Sequence, residues 1–307
     1  MSQITLGIYS YPNAAKSAVY GLEEAFQFAN LACQEQGLET RFAPRVLTEA
    51  TAPSGFQVLL LPPAIDSEFY LNPSQEVLQW LQNLHQQGTV LASACAGAFI
   101  LAGTNLVQGR TLTTHWGLAE RFAQQFPNQP LDINAILVDH GDLMSTGGMM
   151  SWLDLALELI ARYASPSVMR QVGKMLVVDT APRQQRYYRQ FNPDLHHGDT
   201  AIVQLQQWLN LHHAEPFSLQ SLADKAAMTE RTLQRRFLKA TGHNPNQYLQ
   251  RLRVQRACDL LETTPLPFET IASQVGYGDA SACRKVFIKL MGLTPSAFRR
   301  RFSRQPT

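Results

Sequence analysis

Long apolar runs are missing from this 307-residue chain. No stretch reaches the roughly 18 apolar residues that a membrane-spanning helix needs, which excludes a spanning segment. No cationic stretch precedes an apolar run at the start, where Ile4 to Tyr9 reads directly as a strand, so no secretory leader is expected. Cysteine is scarce. Cys33, Cys95, Cys258 and Cys283 show neither metal-ligand spacing nor a disulfide framework, so no metal or cofactor is expected and a reducing cytoplasm is the expected compartment. Net charge is small too, at +2, but it is unevenly spread. Residues 201–307 hold 15 Lys/Arg against 7 Asp/Glu, whereas residues 1–200 hold 11 against 17. A basic module beside an acidic one points to a nucleic-acid partner for the basic part alone.

The last third of the chain is one pattern written twice. Phe237, Lys239, Gly242, Pro245 and Tyr248 recur fifty residues later as Phe287, Lys289, Gly292, Pro295 and Phe298. Such a repeat fixes architecture before any single element is assigned. Each copy reads as helix, tight turn, helix. Ser218 caps a helix carrying Leu222 and Ala223, and Thr229 caps a second with Leu233 and Phe237 inward. In the second copy Ile271, Ala272 and Val275 precede Gly276-Tyr277-Gly278, and Asp279 caps a helix with Cys283 and Phe287 inward. This is the helix-turn-helix of DNA readers, whose second helix enters the major groove.

Removing the inward positions leaves Arg231, Gln234, Arg235 and Lys239 on one second helix, and Ser281, Arg284, Lys285 and Lys289 on the other. Arg and Lys suit phosphates, while Arg to guanine and Gln to adenine are base-reading pairs. Between the copies, Asn246 to Glu262 keeps an unbroken helical pattern. Its roughly 17 residues would span about 25 Å. With the second helices' own offsets, that suits neighbouring major grooves about 34 Å apart. A generic bundle with basic solvated faces would not repeat Gly and Pro at fixed offsets.

Residues 218–302 resemble the AraC/XylS family of transcription regulators. The motif residues are Ile271-Ala272, Val275-Gly276-Tyr277, Phe287, Gly292, Thr294-Pro295-Ser296 and Phe298-Arg299. Cys283 stands where that family usually carries Phe. The resemblance implies double-stranded promoter DNA as partner and a homodimer as the assembly.

In the first two hundred residues strands alternate with helices: Ile4 to Tyr9, Ala18 to Gln36, Leu38 to Val46, and the fully apolar Val58 to Leu61. A capped helix from Ser74 to Gln87, a strand from Thr89 to Ala94 and a helix after Cys95 follow. Then come an extended piece at Thr111 to Thr114, a helix from Gly117 to Phe126, strands near Ala135 to Val138 and Leu143 to Ser145, and a helix from Met150 to Tyr163. The pattern predicts an α/β domain: a flavodoxin-like parallel sheet with helices on both faces, followed by an all-α domain with two helix-turn-helix units. The expected boundaries are 1–190 for the first domain, 191–200 for a linker and 201–307 for the second, which opens with a helix from Ala201 to His212.

Cys95 lies at the carboxyl end of a buried strand and the start of a helix, where α/β sheets place ligands. A thiol there is expected to feel unpaired N–H groups and the positive dipole end, both lowering its pKa. Residues 4–180 resemble the PfpI-like branch of the type I glutamine amidotransferase-like fold, as found in the sensor half of the GlxA subgroup of AraC-type regulators. Glu24 to Asn30, Ser93 to Ala102, Gly109-Arg110, Thr113 to Trp116, and Thr146 to Gly148 with Asp154-Leu155 carry this. The resemblance implies that Glu24, Cys95, Ala96 and His115 gather around one effector pocket. In the peptidase and amidase relatives a His follows the nucleophile; here Ala96 does, so the thiol lacks an adjacent base and no catalytic residue is assigned. Three readings of Cys95 stay open: a ligand pocket without turnover, a fold relic, or a nucleophile. Glu24 reads either as an exposed carboxylate beside Glu23 or as a buried ligand group, and His115 as structural or ligand-binding.

The function expected is a sequence-specific DNA-binding transcriptional regulator responding to a small metabolite, such as an amino acid, betaine or polyamine. The rivals are a cysteine hydrolase or hydratase acting on amides or isonitriles, and a Cys95 redox sensor. His196-His197 and His212-His213 read as solvated linker rather than metal ligands, because adjacent histidines point to different sides. Gly147-Gly148 lacks the Lys and Ser/Thr of a phosphate loop.

Overall fold

Val58, Leu59, Leu60 and Leu61 are all fully buried, as an unbroken aliphatic run requires of a strand covered on both faces. They form β3 of a six-stranded sheet in the first of two units, residues 1–185 and 186–307, in this computed structural model. The structure describes residues 2–50, 55–66, 68–181 and 183–303. In chain order the first unit runs β1 (Gln3–Tyr9), α1 (Lys16–Glu35), β2 (Arg41–Leu47), β3 (Val58–Leu61), α2 (Glu68–Leu71), α3 (Gln75–Gln86), β4 (Val90–Ala94) and α4 (Gly97–Gly103). It continues with α5 (Ala119–Gln125), β5 (Leu137–Asp139), β6 (Leu143–Thr146), α6 (Trp152–Tyr163) and α7 (Pro166–Met175). The strand order is β2-β1-β3-β4-β6-β5.

Side-chain alternation divides the core in two. Leu6, Ile8, Val58, Leu60, Ala92, Ala94 and Met144 pack with α1, α6 and α7. Leu59, Leu61, Leu91 and Leu143 pack on the other face with α3, α4 and Phe122 of α5. The expected α/β layering with helices on both faces is what forms. One edge departs from the parallel expectation: β5 pairs antiparallel with β6, in register Leu137 to Thr146. Only His140, Gly141 and Asp142 join them, with Gly141 at φ +89°. Three residues allow a hairpin, whereas a parallel crossover needs a dozen or more. The extended piece expected at Thr111 to Thr114 forms no strand of the sheet: Leu112 makes an isolated bridge with Leu131, and the Thr113 N–H donates to Ser145 Oγ at 2.9 Å.

The second unit is helical: α8 (Thr200–Leu211), α9 (Leu219–Lys225), α10 (Glu230–Thr241), α11 (Pro245–Thr263), α12 (Phe268–Gln274), α13 (Ala280–Met291) and α14 (Pro295–Phe302). It has two cores. Leu222, Ala223, Leu233 and Phe237 pack with Ile202, Leu205 and Leu209 of α8. Ile271, Ala272, Cys283 and Phe287 pack with Phe298 of α14. The long helix α11 serves both: Tyr248, Leu249 and Leu252 enter the first core, and Val254, Ala257, Cys258 and Leu261 enter the second.

The segment expected as a linker, 191–200, folds with this unit. Phe191 meets Tyr248 edge-on at 5.1 Å between centroids, and its N–H donates to Gln255 Oε1 at 2.9 Å. Asp199 caps α8 and holds Arg236 with two bonds, at 2.6 and 2.9 Å. Residues 186–190, expected to close the first domain, also fall in the second unit, where Arg301 donates to the Tyr188 hydroxyl at 3.0 Å. Aromatic side chains that find partners turn a polar-looking stretch into packed structure.

Candidate DNA interface and buried thiol

Local chemistry builds the two readers alike. Thr229 Oγ1 accepts the Thr232 N–H at 3.2 Å and starts α10, while Asp279 accepts the N–H groups of Ser281 and Ala282 at 2.9 and 3.1 Å and starts α13. Both helices end on a left-handed glycine, Gly242 at φ +69° and Gly292 at φ +72°. The inward side chains Leu233, Phe237, Cys283 and Phe287 are completely buried. Arg231, Gln234, Arg235 and Lys239 on α10, and Ser281, Arg284, Lys285 and Lys289 on α13, are all exposed. Every DNA-facing residue expected from the sequence therefore lies on the solvent side of its reader. Arg284 pairs with Glu269 at 3.1 Å and lies over the Phe268 ring. An exposed pair of that kind contributes little to stability.

A clamp between the readers escaped the sequence reading. Arg253, on α11, donates from Nε to the His213 carbonyl at 2.7 Å and from Nη2 to the Glu215 carbonyl at 3.1 Å. The same guanidinium lies 5.4 Å from the Tyr277 ring centroid. It thus ties the loop before α9 to the turn of the second reader. Gly276 in that turn sits so close to Ala214 that an added Cβ would lie 2.6 Å from its carbonyl oxygen.

In the first unit β4 runs into α4 through Cys95, whose φ of +54° is left-handed. Its N–H donates to the Thr146 carbonyl at 2.7 Å, and its carbonyl accepts from Thr114 Oγ1 at 2.7 Å. Cys95 is 2% exposed. Burial pushes its thiol up to about 11, against the backbone N–H groups of Ala96 and His115 that favour the thiolate. The expected lowering by a helix N-terminus is overturned, because desolvation outweighs the pull of the seven-residue α4. Of the residues expected around one pocket, Ala96 and His115 bring backbone N–H groups to the Cys95 thiol. Glu24 does not join them; it is exposed on α1, opposite the stripe of Leu22, Ala25, Phe26 and Ala29 that enters the core. The His115 ring is half-buried, burial holds its pKa below the ordinary imidazole value, and Nδ1 accepts the Gly117 N–H at 2.9 Å.

Two family models match the chain: a DJ-1/PfpI family model over residues 29–162 and a helix-turn-helix domain model over residues 222–301. The chain joins a DJ-1/PfpI-family domain to an AraC-type helix-turn-helix domain. Its curated relatives are HTH-type transcriptional regulators. CdhR of Pseudomonas aeruginosa is 27% identical over 72% of this chain and 66% of its own length. GbdR of the same species is 27% identical over 72% of the chain and 60% of its own length. GlxA of Rhizobium meliloti is 24% identical over 72% of the chain and 68% of its own. The chain thus spans less than two thirds of the length of the first two relatives.

Within the DJ-1/PfpI domain the thiol elbow is braced by a residue that no motif marked. Gln185 is 2% exposed; its Nε2 donates to Thr113 Oγ1 and to the carbonyls of Thr114 and Ala135, at 2.9 to 3.0 Å. Its Oε1 accepts the Trp116 N–H at 3.2 Å, so one amide fixes the Thr113 to Trp116 loop. Away from the thiol, a cavity of about 390 Å³ opens between β5, α6, α7, residues 179–181 and residues 183–184. Ile136, Leu137, Leu157 and Met169 form its apolar walls, and Asp154, Glu158, Asp179 and Arg183 contribute charge. Arg183 is bound to Asp154 by two hydrogen bonds, at 2.6 and 3.0 Å. Among the described residues, no helix of the AraC-type or DJ-1/PfpI domain is long and apolar enough to cross a membrane.

Proposed function

We propose that this chain is a sequence-specific DNA-binding transcriptional regulator, acting as a cytoplasmic homodimer, whose DJ-1/PfpI domain senses a small metabolite. The observation that carries the reading is the pair of capped helices presenting cations at equivalent positions on either side of α11, whose 19 residues span about 28 Å. The readers would enter successive major grooves, with Arg231, Gln234, Arg235, Arg284 and Lys285 at the bases and phosphates. The test is titration of the full chain with duplex DNA from its own upstream region. Arg231→Ala or Arg284→Ala should weaken binding by about 1–3 kcal/mol if the residue reads a base. Unchanged affinity and footprint in both variants would sink the assignment.

The domain would sense without turnover. Catalysis by Cys95 needs a thiolate and a base, yet the thiol is protonated at neutral pH and the His115 Nδ1 is engaged by Gly117. The same protonated, buried state disfavours a peroxide sensor. The cavity of about 390 Å³ has the size of a small-metabolite site, and its carboxylates suit the cationic end of an amino acid, betaine or polyamine. A ligand preferring one of two arrangements of the sensor would shift how two protomers present their readers. A thermal-shift screen of these three classes, repeated on Glu158→Gln, tests this. A hit that stabilises the variant as strongly as the wild type would place the ligand elsewhere.

A further inference from the structure

Each reader carries one large aliphatic side chain where the rest of the face is polar. Leu238 is 52% exposed on α10, and Ile288 is 38% exposed on α13. They are equivalent in the repeat, fifty residues apart, like Arg235 and Lys285. On a helix of 3.6 residues per turn, Leu238 falls within roughly 60° of Arg231, Gln234 and Arg235, and Ile288 has the same relation to Ser281, Arg284 and Lys285. Neither therefore belongs to the buried stripe of its helix, which Leu233 and Phe237, or Cys283 and Phe287, occupy. In the first reader Leu238 also borders a concavity of about 610 Å³ shared with Arg231, Gln234, Arg235, Asn246 and Gln247.

A lone exposed aliphatic residue needs no explanation. The same exception at the same position of both readers, amid the cations, has one partner of fitting chemistry. In the major groove the only apolar group at a base edge is the C5-methyl of thymine, and aliphatic side chains pack against it. We propose that Leu238 and Ile288 are specificity residues, each covering the methyl group of a thymine. The bound site then carries an A·T pair at the same step of two half-sites about one helical turn, 10–10.5 bp, apart. The inference rests on the DNA-binding reading above and adds residues and a base identity to it.

The experiment uses the full-length chain and a duplex it selects from a random-sequence pool. Each thymine of that duplex is replaced singly by deoxyuridine, which lacks only the methyl. Two positions about one turn apart should each lose about fourfold in affinity, the equivalent of one buried methyl-sized group. Leu238→Ala should abolish the sensitivity at one of them and Ile288→Ala at the other, with both variants still folded by circular dichroism, since neither side chain belongs to the buried stripe of its helix. A duplex tolerant of every deoxyuridine overturns the inference, as does a pattern unaltered in both variants. Failure to select any salt-sensitive duplex overturns the DNA-binding reading itself, and this inference with it.

Discussion

Ala227 and Gly276 occupy the same turn position in the two readers, and both have left-handed backbones, at φ +50° and +91°. For Ala this costs about 1 kcal/mol that Gly avoids. Ala227 is exposed and gains nothing from its methyl, so Ala227→Gly should raise stability by about 0.5–1 kcal/mol in a denaturant titration. Gly276→Ala should do the reverse and more strongly. It adds left-handed strain to a Cβ 2.6 Å from the Ala214 oxygen, at a cost of roughly 2–4 kcal/mol. Equal small effects at both sites would contradict the described geometry. Asp142 allows a pH prediction. Burial raises its carboxyl, but hydrogen bonds from Arg110 and His85 prevail and hold it down at about 2. Its folded pKa is thus depressed, so its contribution is present above about pH 4 and fades as pH falls towards 2. In Asp142→Asn the stability curve should be flatter across that window; an unchanged acid limb counts against the cluster.

Among the elements, α11 joins the two helix-turn-helix units, since its two halves fill different cores and Arg253 projects from between them. Arg253→Met removes two bonds to carbonyls and the contact with Tyr277. It should lower stability by about 1–2 kcal/mol and weaken binding to a two-part site more than to a half-site. Equal losses on both DNAs would mean that the clamp does not align the readers. The helix starts were legible in the sequence. Ser74, Ser218, Thr229 and Asp279 each cap the helix expected of them, because capping is a local bond between neighbours. The antiparallel pairing of β5 is legible too, as the three-residue connection to β6 forbids a parallel return. Arg253 and Gln185 were not legible, since their hydrogen-bond partners lie 38 to 72 residues away.

At the scale of the whole molecule, charge is the dominant asymmetry. The surplus of basic residues is confined to 201–307 and the acidic excess to 1–200. If the six cations Arg231, Arg235, Lys239, Arg284, Lys285 and Lys289 all meet phosphates or bases, counterion release sets a steep salt response. Raising salt from 50 to 200 mM should weaken specific binding roughly a thousandfold. A nearly flat response in a filter-binding or anisotropy assay would be incompatible with this face as the interface.

The sequence by itself determined the twin readers, their caps, the alternation that builds the sheet and the exposure of the cations, all of which follow from period and from neighbours in the chain. Only the tertiary structure decided the fate of the thiol and its surroundings. Whether Cys95 ionises depends on how deeply it is buried, and whether Glu24 lies beside it depends on which face of α1 meets the sheet. Local order governs the helices; desolvation and long-range packing, summed over partners scattered along the chain, govern the chemistry of the site.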